Sequence, residues 1–349
     1  MLPPAAESQW RRGGYGGYRL RVGEDGRHSS ASGAESTPAP VVVAFGGNAL
    51  LPDPFHPSEQ EVRARELAGA LSLFDLEHQG LVLVHGNGPQ VGMILLRVEA
   101  SHDRLPREPL DVLVAETQGS VGFLLSRALR NAFRRADRED VEVSAVLTQV
   151  RVDAEDPGFG DPSKPIGPFY PGDVAAHLEG ERDWSMVEVP GEGWRRVVPS
   201  PRPLEIVELA SIREAARPGR VVIAGGGGGV PVVRDADGML HGVEAVLDKD
   251  RTAALLALSL GARTFVVLTG VPHVARGFGT PRAERIARLG VDEARRMVAS
   301  GELPRGSMGP KVEAAARFAH ESGSNALITD IANLDRALRG TEGTRVDSQ

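Results

Sequence analysis

Three of the chain's 40 basic residues are lysines, Lys164, Lys249 and Lys311, and the rest are arginines. A surface position that needs only positive charge accepts arginine freely. A phosphate site that needs a compact ammonium on a flexible stem does not, because the guanidinium is larger and planar. A coding bias toward arginine accounts for the arginines but not for where the lysines persist. Lys249 lies between two carboxylates in Asp248-Lys249-Asp250, Lys311 ends GSMGPK, and Lys164 sits in DPSKPIGPFY. Read from sequence, all three fall in loops near glycine or proline rather than on helical faces. That placement points to contact with phosphate groups.

Three glycine-rich segments each follow a short apolar run: Gly46-Gly47-Asn48, Gly86-Asn87-Gly88, and Gly225 to Gly229. Glycine lets backbone N–H groups approach an anion closely, and a following helix adds positive potential. No G-x-x-x-x-G-K-[ST] loop is present, and the five-glycine run leads into a Val-Pro strand rather than a helix, against a dinucleotide fingerprint. The nine histidines are scattered without metal-ligand spacing, and His85 reads as a packed or hydrogen-bonded side chain. No nucleophile–base pair stands out. Phosphoryl transfer to an acceptor that is already an anion needs positioning and charge neutralisation, not a general base. Asp248 and Asp250 each carry two readings, capping the helix expected from Thr252, and holding two lysines in register or helping to position Mg²⁺, and both can be true of one residue. Asp250 is the better functional candidate, because the helix is expected to start just after it.

The elements that must position these residues alternate strand, glycine loop and helix, the pattern of a mostly parallel sheet with crossover helices. Strands are expected at Val41–Phe45, Leu81–Val84, Val141–Val150, Val221–Ala224, Thr264–Leu268 and Ala326–Thr329. Helices are expected at Ser58–Gln79, with Ser58 as N-cap and Glu61 completing a capping box, and at Val91–Glu99, 111–135, Thr252–Leu260, Arg282–Ser300 and Val312–His320. Residues 152–203 break the alternation and are too long for a plain loop. They read as a small mobile subdomain inserted in the sheet domain. Residues 1–39 read as an unstructured leader, rich in Gly, Ser, Pro and charge. The remainder divides into a 40–220 lobe and a 221–349 lobe.

Composition narrows the function. A net charge of −7 gives no basic field for nucleic acid or an acidic membrane surface. Cysteine is absent, which removes disulfides and thiolate chemistry. No apolar run approaches the ~20 residues needed to span a bilayer, and a cytoplasmic location is expected.

In order and spacing, GGNAL (46–50), HGNGPQVG (85–92), AETQGSVGF (115–123), DPSKPIGPFY (161–170), WRRVVPSPRP (194–203), GGGGVPV (226–232), VEAVLDKD (243–250) and GSMGPKVEAA (306–315) resemble the carbamate kinases, a group within the amino acid kinase superfamily. The resemblance runs from about Val41 to Val346. It implies a three-layer αβα sandwich around one open sheet, a homodimer, and the reaction ATP + carbamate = ADP + carbamoyl phosphate with Mg²⁺ bound mainly through the nucleotide phosphates. A carboxyl group is then the phosphoryl acceptor, and the expected use is ATP synthesis in arginine or related nitrogen catabolism.

By the same resemblance the 40–220 lobe carries carbamate and the 221–349 lobe the nucleotide. Gly46, Gly47, Asn48, Gly86, Asn87 and Gly88 cradle carbamate and the transferred group. Gly226, Gly227, Asp248, Lys249, Met308 and Lys311 border the nucleotide. Lys164, Lys249, Asp250 and Lys311 are the catalytic set, with Lys164 reaching in from the inserted subdomain. Ser163, Phe123 and Gly270 depart from the family pattern, where Thr, Tyr and often Asp stand. The competing readings are a kinase of the same superfamily acting on another small carboxylate, such as an amino acid, and a non-catalytic nucleotide-binding module.

Overall fold

The computed structural model describes residues 38–50, 57–101, 103–182, 184–304 and 306–348. Residues 1–37 of the expected leader therefore lie outside the described residues, as do the side chains of Asn48, Ala49 and Pro57.

The first strand, β1 (Val41–Phe45), is buried along its whole length. Its residues alternate between two cores: Val42 and Ala44 face one, Val41, Val43 and Phe45 the other. An all-apolar run is what a strand covered on both faces requires. After a one-turn helix α1 (Gly47–Leu50) comes α2 (Pro57–Leu71). This helix starts at Pro57, so Ser58 lies inside its first turn and is not the expected N-cap; proline's fixed φ suits that first position. It also ends well before Gln79. Phe74 and Leu76 turn inward and are buried, while Arg138 Nη1 donates to the Ser72 and Phe74 carbonyls and closes the chain there.

Strand β2 (Leu81–His85) leads into α3 (Gly88–Ser101), followed by the long α4 (Leu110–Arg135). The expected strand 141–150 is two strands, β3 (Glu142–Ala145) and β4 (Gln149–Arg151), in different sheets. Gln118 of α4 meets the chain at the break: its side chain accepts from the Thr148 N–H and donates to the Thr148 carbonyl, which also accepts from Val230 N as the chain enters β4 beside β10.

Residues 152–203 contain β5 (Lys164–Tyr170), α5 (Gly172–Arg182), β6 (Ser185–Val189) and β7 (Gly193–Val198), with β5, β7 and β6 forming a separate three-stranded antiparallel sheet. Ile166, Trp184 and Val198 pack with Val91, Leu95 and Leu113 in a small third core that fastens this sheet to α3 and α4. Gly92 is required at that junction, since a Cβ there would overlap the Gly167 backbone.

The chain returns through β8 (Glu205–Ile206) and α6 (Leu209–Ala215) to β9 (Arg220–Ile223), then to β10 (Val230–Arg234) and β11 (Leu240–Gly242). Next come α7 (Lys249–Leu260), β12 (Thr264–Leu268), β13 (Val274–Arg276), β14 (Glu284–Ile286), β15 (Arg288–Gly290), α8 (Val291–Ala299), α9 (Met308–Ser322), β16 (Asn325–Thr329), α10 (Leu334–Leu338) and β17 (Thr344–Asp347). The helix expected at 282–300 is thus half strand. Ile286 and Leu289 are buried as parts of β14 and β15, paired to β13 and β17.

The main sheet has eight strands in the order β15-β17-β16-β12-β1-β2-β9-β3. From β16 to β3 the pairing is parallel throughout. Helices α7 and α9 cover one face, where Phe265 and Phe318 meet, and α2 and α4 cover the other. The fold is therefore the expected αβα sandwich on a mostly parallel sheet. Strands β1, β2 and β9 are neighbours, so the three glycine segments emerge side by side at one edge, where open parallel sheets bind ligands.

Candidate active site

At that edge the first two glycine segments interlock. A Cβ on Gly47 would sit 2.9 Å from Asn87 N, and one on Gly86 would sit 2.5 Å from Gly47 N and 3.0 Å from Lys249 Cδ. Only glycine allows this approach, and it leaves backbone rather than side chains on the floor of a cavity of about 630 Å³. That volume suits a nucleotide and a small second ligand. Gly46, Gly47, Gly86, Asn87, Gly88 and Gly227 line it.

All three lysines line the same cavity, from sites quite different from the expected loops. Lys249 is the first residue of α7, Lys311 lies in the first turn of α9, and Lys164 opens β5. Two buried aspartates tie them together. Asp248 is the N-cap of α7: its Oδ1 accepts from the N–H groups of Asp250 and Arg251, and its Oδ2 accepts from Lys164 Nζ at 2.6 Å. Asp250, 2% exposed at its side chain, accepts through Oδ2 from Lys249 Nζ at 2.9 Å and Lys311 Nζ at 3.1 Å. Capping therefore belongs to Asp248, and the helix begins before Asp250, not after it. The expected role of Asp250 as a brace between two lysines is what its contacts resemble.

These contacts set the protonation of the cluster. Burial alone would raise the Asp248 pKa, but the Lys164 and Lys249 charges together outweigh it and hold the carboxyl far below the usual range. Burial would likewise deprotonate Lys249, yet Asp250 and Asp248 overcompensate and raise it. Lys311 goes the other way: burial and the nearby Lys249 charge lower it despite Asp250. Three ammonium groups against two carboxylates leave the cluster net positive and ready for an anion.

Some expected residues are not brought to the cavity. Gly226 turns toward His85 and Gln118 behind the floor, and Met308, the first residue of α9, packs against the core. The Asn48 side chain lies outside the described residues. His85 is packed, as expected: Nδ1 lies 3.0 Å from the Gly86 carbonyl, and burial drives its pKa down to about 4 despite that hydrogen bond. Other cavity residues were not singled out from sequence. Arg195, in the WRRVVPSPRP motif, reaches in from β7 with Nε donating to the Gly167 carbonyl at 2.9 Å. Arg251 lines the wall paired to Glu313. Gly270 and Ser163, which the sequence did mark as departures from the family pattern, also line the cavity, and Gly270 leaves open space beside β12. The position of Arg195 within a quoted motif was the available signal.

Residues 39–330 match the family model described as the amino acid kinase family. A carbamate kinase of Thermococcus kodakarensis is 42% identical over 314 residues, covering 88% of this chain and 98% of that protein. One of Halobacterium salinarum is 44% identical, over 88% and 97%. The carbamate kinase from Giardia lamblia, solved with citric acid and with AMP-PNP, superposes with TM-scores of 0.81 and 0.77 at 34% identity, covering 89% of this chain and 98% of that one. On the strength of these matches the chain belongs to the carbamate kinases of the amino acid kinase family, and it is a kinase.

Proposed function

We propose that the chain transfers a phosphoryl group reversibly between ATP and carbamate, giving ADP and carbamoyl phosphate. The observation that carries this reading is the convergence of Lys164, Lys249 and Lys311, through Asp248 and Asp250, on a floor of interlocked glycine backbone. In this reaction a carbamate oxygen forms a bond to the γ-phosphorus, the bond to the β–γ bridging oxygen breaks, and ADP leaves. The two reactants are both anions, so the site's task is to bring them together and neutralise the charge that spreads over the transferred group. Lys249 and Lys311, at helix N-termini, serve the nucleotide phosphates, with the helix ends adding to their field. Lys164 reaches the transferred group from the inserted sheet. Glycine N–H groups of the 46–47 segment and of Gly88 hold carbamate, while the Gly86 N–H donates to the Phe45 carbonyl at 2.8 Å and fixes the second segment against the first. The 40–220 and 221–349 lobes divide these tasks.

A divalent cation accompanies ATP in such chemistry. The cluster's carboxylates are engaged with lysines, and among the described residues three potential metal ligands come together only at exposed Asp75, Glu77 and His78. Mg²⁺ would therefore be held mainly by phosphate oxygens and water, and would neutralise phosphate charge. Asp250 Oδ1, buried and without a partner among the described residues, is a free acceptor at the cluster.

The reading extends to a homodimer, to ATP synthesis in arginine or nitrogen catabolism, and to the cytoplasm. Strand β3 ends the main sheet and has three of its four residues exposed, which leaves an edge for a second copy. No helix among the described residues is long and apolar enough to cross a membrane. The purified protein, given ADP, carbamoyl phosphate and Mg²⁺, is expected to form ATP in a coupled assay. No turnover with Mg²⁺ present overturns the proposal.

A further inference from the structure

The AETQGSVGF segment lies on α4 and contributes no residue to the lining of the main cavity, yet two of its side chains reach the floor from behind. Thr117 is fully buried. Its hydroxyl donates to the Val114 carbonyl at 2.6 Å, and it has only one proton to give. Toward Asn87 it can therefore only accept, and Asn87 Nδ2 stands 2.9 Å away. The hydroxyl thus decides which end of the Asn87 amide is which. The NH₂ end is turned to Thr117, and Oδ1 is left without a partner among the described residues, on a side chain that lines the cavity. Gly227 wedges the amide in place, because any Cβ there would overlap it. The next residue, Gln118, locks the loop that does the wedging: it holds Thr148 at both ends, and Thr148 Oγ1 accepts from Gly225 N at 2.9 Å.

We propose that Thr117 is a specificity-determining positioning residue, which fixes Asn87 so that its carbonyl oxygen faces the acceptor and selects an acceptor bearing N–H. The inference rests on the carbamate reading and sharpens it. Carbamate and acetate share a carboxylate and nearly the same shape. They differ in that carbamate presents an amino group where acetate presents a methyl. An oriented amide oxygen accepts from the first and is left unpaired by the second. A freely flipping amide could turn its NH₂ group to either, and would distinguish them less.

The test compares carbamoyl phosphate with acetyl phosphate as phosphoryl donor to ADP, by kcat/KM for ATP formation in each case. The wild type is expected to prefer carbamoyl phosphate. Thr117→Val, which keeps the shape and removes the hydroxyl, is expected to reduce that preference about tenfold, the worth of one hydrogen bond. Thr117→Ala serves as a second variant with the same expectation should the valine not fold. Thr117→Ser keeps the hydroxyl and should keep the preference. A wild type that uses both donors equally overturns the proposal. So does a variant whose two rates fall by the same factor, or a serine variant that loses the preference as fully as valine. A wild type that forms ATP from neither donor contradicts the underlying carbamate reading instead, so the two failures are distinguishable.

Discussion

The two walls of the cavity are built on opposite principles. The floor rises from β1, β2 and β9, which are buried nearly throughout, and it presents backbone and two lysines locked at helix starts. The facing wall is the β5-β7-β6 sheet, mostly half-buried, joined to α3 and α4 by a small apolar core and by charged contacts such as Arg182 with Glu99. Lys164 is accordingly the most exposed of the three lysines, 28% at its side chain against 11% for Lys249 and 13% for Lys311. The contrast separates tasks. A wall with few buried contacts opens at lower cost than one inside the main core. The floor is suited to holding ligands in place, and the facing sheet to supplying charge when it closes over them.

Substitutions on the two walls should therefore fail differently. The largest effect is expected from Gly86→Ala on the floor. Its methyl would press on Gly47 N, so activity should vanish and stability fall by about 3 kcal/mol, read from denaturant midpoints. Near-normal stability and rate would mean that the glycine segments are not locked. Asp250→Asn keeps the shape but leaves Lys249 and Lys311 without their shared carboxylate. A destabilisation on the order of 3 kcal/mol is expected, with weaker ADP binding by calorimetry.

On the facing wall, Lys164→Arg should leave ADP affinity within about twofold and lower kcat about tenfold or more, because the group acts mainly as the wall closes. Equal losses in affinity and kcat would place Lys164 with the floor. The smallest effect at neutral pH is expected behind the floor, at His85. Its folded pKa of about 4 lies below the unfolded 6.5, so between those values the unfolded chain binds the proton and the folded chain does not. Stability should fall by about 3 kcal/mol as pH drops from 6.5 to 4. His85→Gln should flatten that slope, and an unchanged slope would assign the acid sensitivity elsewhere.

Much of this was legible in sequence because it is local. Apolar, β-branched runs such as VVVAF and TFVVL suit strands buried on both faces, and the glycine segments that follow such runs mark the ligand edge of the sheet. The rarity of lysine marked three positions that share one cavity. What sequence could not supply depends on partners far along the chain. The split of 141–150 falls where the chain meets Gln118, 30 positions away, and turns to pair with β10. The strands within 282–300 exist only because β13 and β17 pair with them. The division of work between Asp248 and Asp250 also escaped it. Both flank Lys249; the capping is local, with Asp248 Oδ1 accepting from the N–H groups of Asp250 and Arg251, but the lysine that each carboxylate reaches, Lys164 or Lys311, lies more than 60 positions distant.

The central claim is that the lysines persist because the cluster needs compact ammonium groups, and Lys249→Arg tests it most directly. Lys249 passes beside Gly46 and Gly86, its Cε 3.9 Å and its Cδ 3.0 Å from where their Cβ atoms would sit, and its Nζ donates to Asp250. The variant keeps the charge, so folded protein is expected to show kcat lowered on the order of a hundredfold for ATP formation from carbamoyl phosphate and ADP. A Lys249→Arg enzyme turning over at close to the wild-type rate would contradict the account.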